Sequence, residues 1–298
     1  MRVLVAGKVG QLGLALRTRL AEAGHDVTAL GRPELDLTRP ETIRAAVKVL
    51  QPEVVINAAA YTAVDRAEDE PEAAMAVNRD GARLLAAAAQ GAGAPFVQLS
   101  TDYVFDGTKG APYTEEDATN PTGAYGASKL AGEEAALKAN PRTLVLRTAW
   151  VCSADGNNFV RTMLRLGRER PELRIVADQQ GAPTFADDLA AAIAAMLPRL
   201  HASPEGDPAF GVFHLTGAPY TSWYGFAAAI FGGAGARALP SPVLHPITTA
   251  EYPTKARRPA DSRLDCTRIA AIHGIAQPDW RPALERCLDR LIGSKEKV

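Results

Sequence analysis

The sequence predicts an α/β fold in which a doubly wound parallel sheet is joined by a smaller C-terminal region. Two observations lead to this prediction. Short runs rich in β-branched residues alternate with alanine-rich segments of helical period through the first half of the chain, as in βαβ units. Most of these runs are continuously apolar rather than alternating, which is typical of parallel strands buried on both faces of a sheet.

Residues 1–150 contain five predicted strands separated by predicted helices. We expect strands at RVLVA (2–6), DVTAL (26–30), EVVINAA (53–59), PFVQLS (95–100) and RTLVLRTAW (142–150). The helical stretches between them are QLGLALRTRLAEAG, ETIRAAVKVL, PEAAMAVNRDGARLLAAAAQ and the segment that contains Tyr125. This regular order of strand and helix indicates one domain of parallel strands.

The regularity weakens after about residue 151. NNFVRTMLRLGRER and FADDLAAAIAAMLPRL predict helices, and LRIVA predicts a strand. Proline- and glycine-rich stretches follow with apolar residues on both sides, so we interpret them as loops rather than as a disordered linker. We therefore predict a sheet domain over 1–150 and, over 151–298, a region that mainly caps the sheet and returns some segments to it.

Composition excludes several classes of function. Lysine and arginine total 33, and aspartate and glutamate total 34, so no strong overall charge indicates binding to nucleic acid or to an anionic membrane. No apolar run reaches the roughly 20 residues that span a bilayer, and the N-terminus shows no secretory signal. The cysteines at 152, 266 and 287 have no metal spacing and favour a reducing compartment. We expect a cytoplasmic protein that binds a small molecule.

A glycine-rich turn joins the first predicted strand to the first predicted helix. In VLVAGKVGQLGLAL, Gly7, Gly10 and Gly13 form the pattern GxxGxxG. Glycine permits a tight turn and a close approach of backbone N–H groups to a pyrophosphate, and the helix N-terminus that follows is partially positive. Gln11 and Leu12 would supply such N–H groups. The position of the turn predicts a Rossmann-type, dinucleotide-binding domain over residues 1–150.

The end of the second strand bears on which dinucleotide is bound. An acidic residue there usually binds a ribose 2′-OH, whereas an arginine accommodates a 2′-phosphate. Gly31 and Arg32 occupy this position in ALGRPE, which favours NADPH and leaves NADH open; the alternative is that Arg32 is an ordinary surface residue. Asp36 and Leu37, in LDLT, would hold the edge and the face of an adenine.

Tyr125 and Lys129 are the strongest candidates for chemistry, because their spacing in AYGASKLAGE places them on one helix face. A free phenol has a pKa near 10, so a tyrosine that exchanges a proton near pH 7 needs stabilisation of roughly 4 kcal/mol. A lysine ammonium and the positive ring of an oxidised nicotinamide can supply it. Thr101 ends a predicted strand in QLSTDYVFDG, where ligands of doubly wound sheets lie, and would hydrogen-bond a substrate oxygen.

Taken in order, these motifs resemble the extended short-chain dehydrogenase/reductases and, within them, the dTDP-4-dehydrorhamnose reductase family. The matching segments span almost the whole chain: GKVGQLG, NAAAYTAVDRAEDEP, LSTDYVFDG, YGASKLAGE, RTAWV, GNNFVRTML, DQQGAPT and PTKARRPADSRLD. The resemblance implies reduction of the 4-keto group of dTDP-4-dehydro-L-rhamnose to give dTDP-L-rhamnose, with hydride from C4 of the nicotinamide. It implies that Tyr125 donates the proton, that Lys129 lowers the pKa of Tyr125, and that Thr101 completes the catalytic set.

The resemblance also assigns binding residues. Ala60, Tyr61 and Thr62 resemble the turn that contacts the cofactor in the family. Trp150 resembles its substrate-pocket tryptophan, with an ordinary core aromatic as the alternative. Asn157, Asn158 and Arg258 are expected near the nucleotide diphosphate, with a surface salt bridge as the alternative for the arginine. The implied substrate-binding residues are Thr101, Asp102, Tyr125, Trp150, Asn158 and Arg258, and most lie outside residues 1–150 or at the ends of its strands.

One feature departs from the family. Some members are dimers bridged by Mg²⁺ through glutamates, one of which follows the glycine turn, where this chain has Leu14 and Ala15. Asp187 would supply one ligand, but a hard divalent ion needs several oxygens. We therefore predict no metal and leave a homodimer open. The histidines, including His214 and His245, show no metal spacing and are expected to be structural.

Particular residues argue against three alternatives to a reductase. A nucleotide-sugar 4,6-dehydratase typically has an acid pair in the motif TDE, whereas Tyr103 follows Asp102 here. A 4-epimerase keeps NAD tightly bound, which Arg32 argues against. A regulatory subunit that binds NADP without turnover is disfavoured because the tyrosine, lysine and threonine are all intact. The sequence leaves open the nucleotide and the stereochemistry at C4 of the product.

Overall fold

The computed structural model describes residues 1–293, which form a central parallel sheet, flanking helices and a capping region. The strands in these residues are β1 (Arg2–Ala6), β2 (Asp26–Leu30), β3 (Val54–Asn57), β4 (Phe96–Thr101), β5 (Thr143–Thr148), β6 (Val151–Cys152), β7 (Glu172–Val176), β8 (Gln180–Gly181), β9 (Thr184–Phe185), β10 (Gly211–His214), β11 (Thr221–Ser222) and β12 (Val243–Ile247).

The helices in the same residues are α1 (Gln11–Glu22), α2 (Pro40–Leu50), α3 (Val64–Ala67), α4 (Pro71–Met75), α5 (Ala82–Gly91), α6 (Ala124–Ala139), α7 (Phe159–Glu169), α8 (Ala186–Ala202), α9 (Trp223–Gly235), α10 (Thr267–His273) and α11 (Trp280–Gly293). A π turn (Ala76–Gly81) joins α4 to α5, and short 3₁₀ turns lie at Asp102–Val104 and Thr249–Glu251.

Six parallel strands form the central sheet in the order β2-β1-β3-β4-β5-β10. Val3 of β1 pairs with Val27 on one side and with Val54 on the other. The chain thus moves outward in one direction through β2 and in the other from β3 onward, which confirms the doubly wound α/β prediction. Where the order reverses, between β1 and β3, the carboxyl ends of the strands border a crevice in which ligands of such sheets bind.

The apolar runs are continuous because each strand serves two cores. In β1, Val3 and Val5 face a core built with α1 and α8, while Leu4 and Ala6 face a core built with α2 and α5. Leu4 is fully buried, and burying one such side chain contributes about 1.5–3 kcal/mol to the free energy of unfolding. A sheet covered on both faces leaves its strand ends, rather than its faces, available to ligands.

The sixth strand is absent from the sequence-based prediction. β10, from the C-terminal half of the chain, pairs in parallel with β5, with Phe213 opposite Leu146. Its four residues, GVFH, are too few for an apolar run to stand out, and the first two are only half-buried. The C-terminal half therefore contributes one edge of the central sheet.

The stretch predicted as helical over residues 71–90 is helical throughout, but it contains a π turn. It forms α4, the π turn and α5. At the end of the π turn, a Cβ on Gly81 would lie 2.6 Å from the Cβ of Leu37, so glycine allows the helix to approach the loop after β2. π turns of this kind are frequent near functional sites, and this one buries Asn78.

The capping region has its own core, formed by α7, α9, α11 and β7. The predicted helices after residue 151 are α7 and α8, and the predicted strand LRIVA is β7, which pairs in parallel with β12. No helix within residues 1–293 has the length and apolar character needed to cross a membrane.

All three cysteines are free and buried. Cys266 belongs to the core under α1 and α8, whereas Cys152 and Cys287 belong to the core of the capping region. Burial raises the pKa of Cys152 to about 12 and that of each of the other two thiols to about 11. They are small buried residues in the neutral thiol form.

Candidate active site

The glycine turn brings α1 as close to β1 as backbone atoms permit. Gly7 has a φ of 110°, and its N–H donates to Leu30 O at 2.8 Å. A Cβ on Gly13 would lie 1.9 Å from Gly7 O, so only glycine fits where the helix crosses the turn. Gly10 precedes α1 and makes no side-chain cap. The first N–H groups of the helix, including those of Gln11 and Leu12, therefore have no intrahelical acceptor.

Gln11 links this turn to the capping region. Its Oε1 accepts hydrogen bonds from Asn158 Nδ2 at 2.9 Å and Ser153 Oγ at 3.1 Å. Asn158 also caps α7, because its Oδ1 accepts from Arg161 N at 3.2 Å, while Asn157 is exposed. Asn158, which is expected at the substrate, and Gln11, which is expected at the cofactor, are thus hydrogen-bonded to each other.

At the end of β2, Arg32 is exposed beside Gly31. Asp36 is turned toward its own loop, where its Oδ1 accepts from Thr38 N at 2.9 Å and Thr38 Oγ1 at 2.7 Å. These hydrogen bonds, and more weakly the charge of Arg32, lower the pKa of Asp36. Leu37 is 5% exposed and packs beneath Gly81, so its side chain belongs to the core that α2 and α5 form on this face of the sheet.

Asn78 organises the turn that follows β3, although no motif drew attention to it. Its Oδ1 accepts from Tyr61 N at 2.8 Å, and its Nδ2 donates to Tyr61 O at 3.0 Å and to Ser128 Oγ at 2.9 Å. Ser128 belongs to α6, and its hydroxyl donates to Tyr125 O at 2.8 Å. One buried amide therefore fixes the segment of Ala60, Tyr61 and Thr62 relative to the helix that carries Tyr125.

Two glycines let α6 pack directly against its neighbours. A Cβ on Gly126 would lie 2.2 Å from Tyr103 O, and a Cβ on Gly132 would lie 2.1 Å from Asn78 O. The close approach sets the ring of Tyr125 edge-on to the ring of Tyr103, with centroids 5.6 Å apart. The small residues of AYGASKLAGE are therefore needed for the packing of α6.

Tyr125 lies beside Thr101 at the end of β4, and Lys129, four residues further along α6, reaches Leu99 O of the same strand. Burial raises the pKa of Tyr125 above its usual value, and the adjacent Thr101 hydroxyl opposes this rise. Lys129 is 4% exposed, and its Nζ donates to Leu99 O at 2.5 Å. Burial lowers the pKa of Lys129 to about 8, and the charge of Glu133 opposes the fall. Near neutral pH the pair therefore consists of a protonated phenol and a mostly protonated amine.

Asp102 is a buried carboxyl group beside this set. It is 2% exposed, and its Oδ1 accepts from Thr101 Oγ1 at 3.0 Å. Burial raises its pKa to about 6, while Ser262 and Thr101 act in the opposite direction. Within the described part of the chain, its Oδ2 is buried and has no hydrogen-bond partner of normal geometry, although the Ser262 side chain is close enough to lower the pKa of the carboxyl group.

Trp150 packs against the capping region, and Arg258 contacts Tyr103. Trp150 has a φ of 48° and stacks on Trp223, with centroids 3.6 Å apart. Arg258 donates to Tyr103 OH at 3.2 Å and to Asp65 Oδ2 at 2.9 Å. Arg258 therefore forms an ion pair with Asp65, which was the alternative to a role in binding, and it also contacts Tyr103, the neighbour of Tyr125. It also lines a cavity of about 450 Å³.

Residues 1–293 contain no group of three or more histidine, cysteine or acidic side chains that could hold a metal ion. Near Leu14 and Ala15, Asp187 lies 3.6 Å from an Arg290 nitrogen, and the same arginine donates to Asp155 at 2.8 Å. The carboxylate considered as a magnesium ligand is thus paired with a guanidinium.

Comparison with known proteins agrees with the motifs. The family model of the RmlD substrate-binding domain matches residues 1–292. The dTDP-4-dehydrorhamnose reductase of Sinorhizobium fredii is 46% identical over 292 residues, which are 98% of each chain, and that of Burkholderia thailandensis is 48% identical over 297 residues, 98% of this chain and 99% of the relative.

Solved structures agree as well. The reductase structure from Clostridium acetobutylicum has a TM-score of 0.91 at 38% identity and covers 98% of this chain and 99% of its own. The one from Bacillus anthracis, in complex with NADP, has a TM-score of 0.88 at 36% identity, with coverage of 96% and 98%. This chain therefore belongs to the family of the RmlD substrate-binding domain and of the dTDP-4-dehydrorhamnose reductases, which are oxidoreductases.

Proposed function

We propose that this protein reduces the 4-keto group of dTDP-4-dehydro-L-rhamnose with NADPH to give dTDP-L-rhamnose. The observation that supports this most strongly is the position of Tyr125 beside Thr101 at the end of β4, with Lys129 four residues further along α6 and hydrogen-bonded to Leu99 O of the same strand. Residues 1–150 would bind the cofactor, and residues 151–298 would mainly bind the sugar nucleotide.

The residues around the crevice fit a dinucleotide. Gly13 has no room for a Cβ beside Gly7 O, and a pyrophosphate bound at the turn would lie next to the N-terminus of α1, whose first N–H groups lack intrahelical acceptors. Arg32 is exposed at the end of β2, where a guanidinium would bind a 2′-phosphate. NADPH is therefore the favoured cofactor, and NADH would bind without that ion pair.

Bound NADPH would supply a hydride to C4 of the sugar. Tyr125 would donate its phenolic proton to the oxygen at C4, and its raised pKa keeps that proton on the phenol until the oxygen becomes basic. Lys129 would stabilise the resulting tyrosinate through its positive charge. Thr101 would hydrogen-bond the same sugar oxygen and hold it between phenol and hydride donor.

The capping side would hold the rest of the substrate. Trp150 is suited to pack against the sugar ring, and Arg258 to bind the diphosphate while it contacts Tyr103. Asp102 would accept a hydrogen bond from a sugar hydroxyl through Oδ2. The buried free thiols fit a reducing compartment, so we also propose a cytoplasmic location, and a homodimer stays a prediction from the resemblance.

The test is to incubate the purified protein with dTDP-4-dehydrorhamnose and NADPH, to follow NADPH absorbance, and to identify the product by NMR. We expect Tyr125→Phe to lower kcat by about 10²–10⁴-fold while NADPH still binds. Tyr224→Phe, in the capping core, is the control for loss of a phenol elsewhere. An epimeric product would indicate a reductase of other stereochemistry, and NADPH binding without turnover would indicate the regulatory alternative.

A further inference from the structure

A chain of buried charges lies behind the candidate catalytic lysine. Tyr125, Lys129 and Glu133 succeed one another at i, i+4 and i+8 on α6, so their side chains lie along one face of that helix. Glu133 is 2% exposed, and Arg147 on β5 is 4% exposed. Side chains of this kind are rarely buried unless they are paired, and this pair is the most deeply buried ion pair in the described part of the chain.

Glu133 is held rigidly. Arg147 donates to both of its oxygens, at 3.0 and 3.1 Å from Nε and at 2.7 Å from Nη2. Ser100 Oγ donates to Glu133 Oε1 through a short hydrogen bond. His214 lies behind Arg147, with its Nε2 3.4 Å from Arg147 Nη1, and burial lowers the pKa of His214 to about 3, so the histidine adds no charge.

Lys129 is not the hydrogen-bond partner of this carboxylate. Its ammonium donates to Leu99 O at 2.5 Å, whereas the glutamate oxygens are directed at Arg147 and Ser100. The lysine therefore keeps its other protons for a ligand while the fixed negative charge of Glu133 acts on it through the protein interior. Arg147 prevents the glutamate from swinging toward the lysine and occupying those protons.

Other charged groups near α6 are poorly placed to replace Glu133. On the elements that pack against α6, the titratable side chains of α3, α4, the π turn and α5 are exposed or half-exposed: Asp65, Arg66, Glu72, Arg79, Asp80 and Arg83. On α6 itself, Glu134 and Lys138 are exposed. The buried groups are Asp102 in the 3₁₀ turn and Arg147 on β5, while Tyr103 is half-buried. The charge that raises the pKa of Lys129 is that of Glu133.

We propose that Glu133, fixed by Arg147 and Ser100, is a positioning residue that keeps Lys129 protonated during the reaction. This role rests on the proposed function, because that mechanism requires a protonated Lys129. Residues at i and i+4 of a helix have Cβ atoms about 5–6 Å apart, and removing a unit charge at that distance lowers the pKa of a buried amine by about one unit or more. Loss of Glu133 lowers the pKa of Lys129, so the lysine loses its proton at lower pH.

The main variant is Glu133→Gln, and its matched control is Glu134→Gln, the same change on the next residue of the same helix but directed at solvent. Because the single variant leaves Arg147 buried without a counter-ion, a second variant, Glu133→Gln with Arg147→Met, removes both charges at similar volume. Circular dichroism melts establish which variants fold. The pH dependence of kcat/KM for the keto-sugar nucleotide is then measured for each folded protein.

We expect the basic limb of the profile to move to lower pH by about one unit in Glu133→Gln, by less in the double variant, and not at all in Glu134→Gln. A purely structural pair predicts a lower melting temperature in the single variant, recovery in the double variant, and the wild-type pH profile in both. That result would overturn the proposal.

A second readout does not depend on turnover. NMR titration of ¹³Cε-labelled lysine, with Lys129 assigned by Lys129→Arg, measures the pKa of Lys129 directly. A lower pKa in the folded variants supports the proposal, and an unchanged value contradicts it. If the wild type does not oxidise NADPH with the keto-sugar, the proposed function fails while this titration still decides the role of Glu133.

Discussion

Alanine at Gly13 tests whether the close approach of α1 to the glycine turn is required. The new Cβ would lie 1.9 Å from Gly7 O, and real Cβ atoms essentially never approach a heavy atom within 3.0 Å. The obstacle is a backbone carbonyl that also accepts a hydrogen bond from Gly10 N, so it cannot rotate away as a side chain would. The helix and the turn must therefore separate by at least about 1 Å.

The cost follows from the packing of α1. Leu16 and Leu20 of this helix are fully buried under the sheet, and overpacking at such a contact costs about 1–3 kcal/mol. For a chain of this size, each kcal/mol lowers the melting temperature by about 2–4 °C. We expect Gly13→Ala to melt about 2–12 °C below wild type and to bind NADPH more weakly, because the N–H groups of α1 move with the helix.

Two matched variants separate the possible causes. A Cβ at Gly10 would have only Gly7 O within 4 Å, at 3.7 Å, so Gly10→Ala is expected to keep its melting temperature and to weaken NADPH alone by placing a methyl group in the crevice. Gly91→Ala, at the end of α5 with nothing within 4 Å, should change neither. Circular dichroism melts and fluorescence titration with NADPH provide both measurements. A Gly13→Ala protein that melts like wild type would refute the reasoning.

Two further predictions concern buried titratable groups. The pKa of Asp102 is raised to about 6 in the folded chain, so its contribution to stability is complete below its unfolded pKa of about 4 and is lost as the pH rises through about 6. Asp102→Asn should therefore raise the melting temperature at pH 7 and also raise KM for the sugar nucleotide. An unchanged or lower melting temperature would contradict this. The pKa of His214 is lowered from 6.5 to about 3, so the unfolded state binds a proton at higher pH than the folded state does. The free energy of unfolding therefore falls by up to about 1.4 kcal/mol per pH unit as the pH drops below 6.5. His214→Gln should reduce this pH dependence in urea titrations at pH 4 to 6, and an unaltered slope would show that other groups control acid unfolding.

The sequence predicted most of the central sheet because its strands carry two-sided apolar runs. β1, for example, lies where RVLVA predicted it, since four of its five residues are buried by helices on both faces. The glycine pattern was equally informative. Gly7 has a positive φ and Gly13 has no room for a Cβ, and both requirements are local and select glycine. β10 was missed because its four residues carry too little pattern, and its pairing with β5 is a long-range event.

Parts of the candidate site could not be predicted for the same reason. Asn78 acts on Tyr61 and Ser128, which are 17 and 50 residues away along the chain, and a lone asparagine within an alanine-rich helical stretch gives no signal. The contact of Arg258 with Tyr103 depends on how the C-terminal segment returns to the sheet. Glu133, in contrast, could have been found, since it follows Lys129 by the same four-residue step that drew attention to Tyr125.

The three buried thiols give the molecule a built-in probe of local opening. Because a thiolate is the reactive species and burial suppresses it at all three positions, alkylating reagents can react only when a core opens. Cys266 reports on the core beneath α1 and α8, and Cys152 and Cys287 report on the capping region. Pulse alkylation followed by mass spectrometry would rank the two cores by their rates of opening without any engineered label. A ligand that contacts both the sheet domain and the capping region would lower the alkylation rates of all three cysteines.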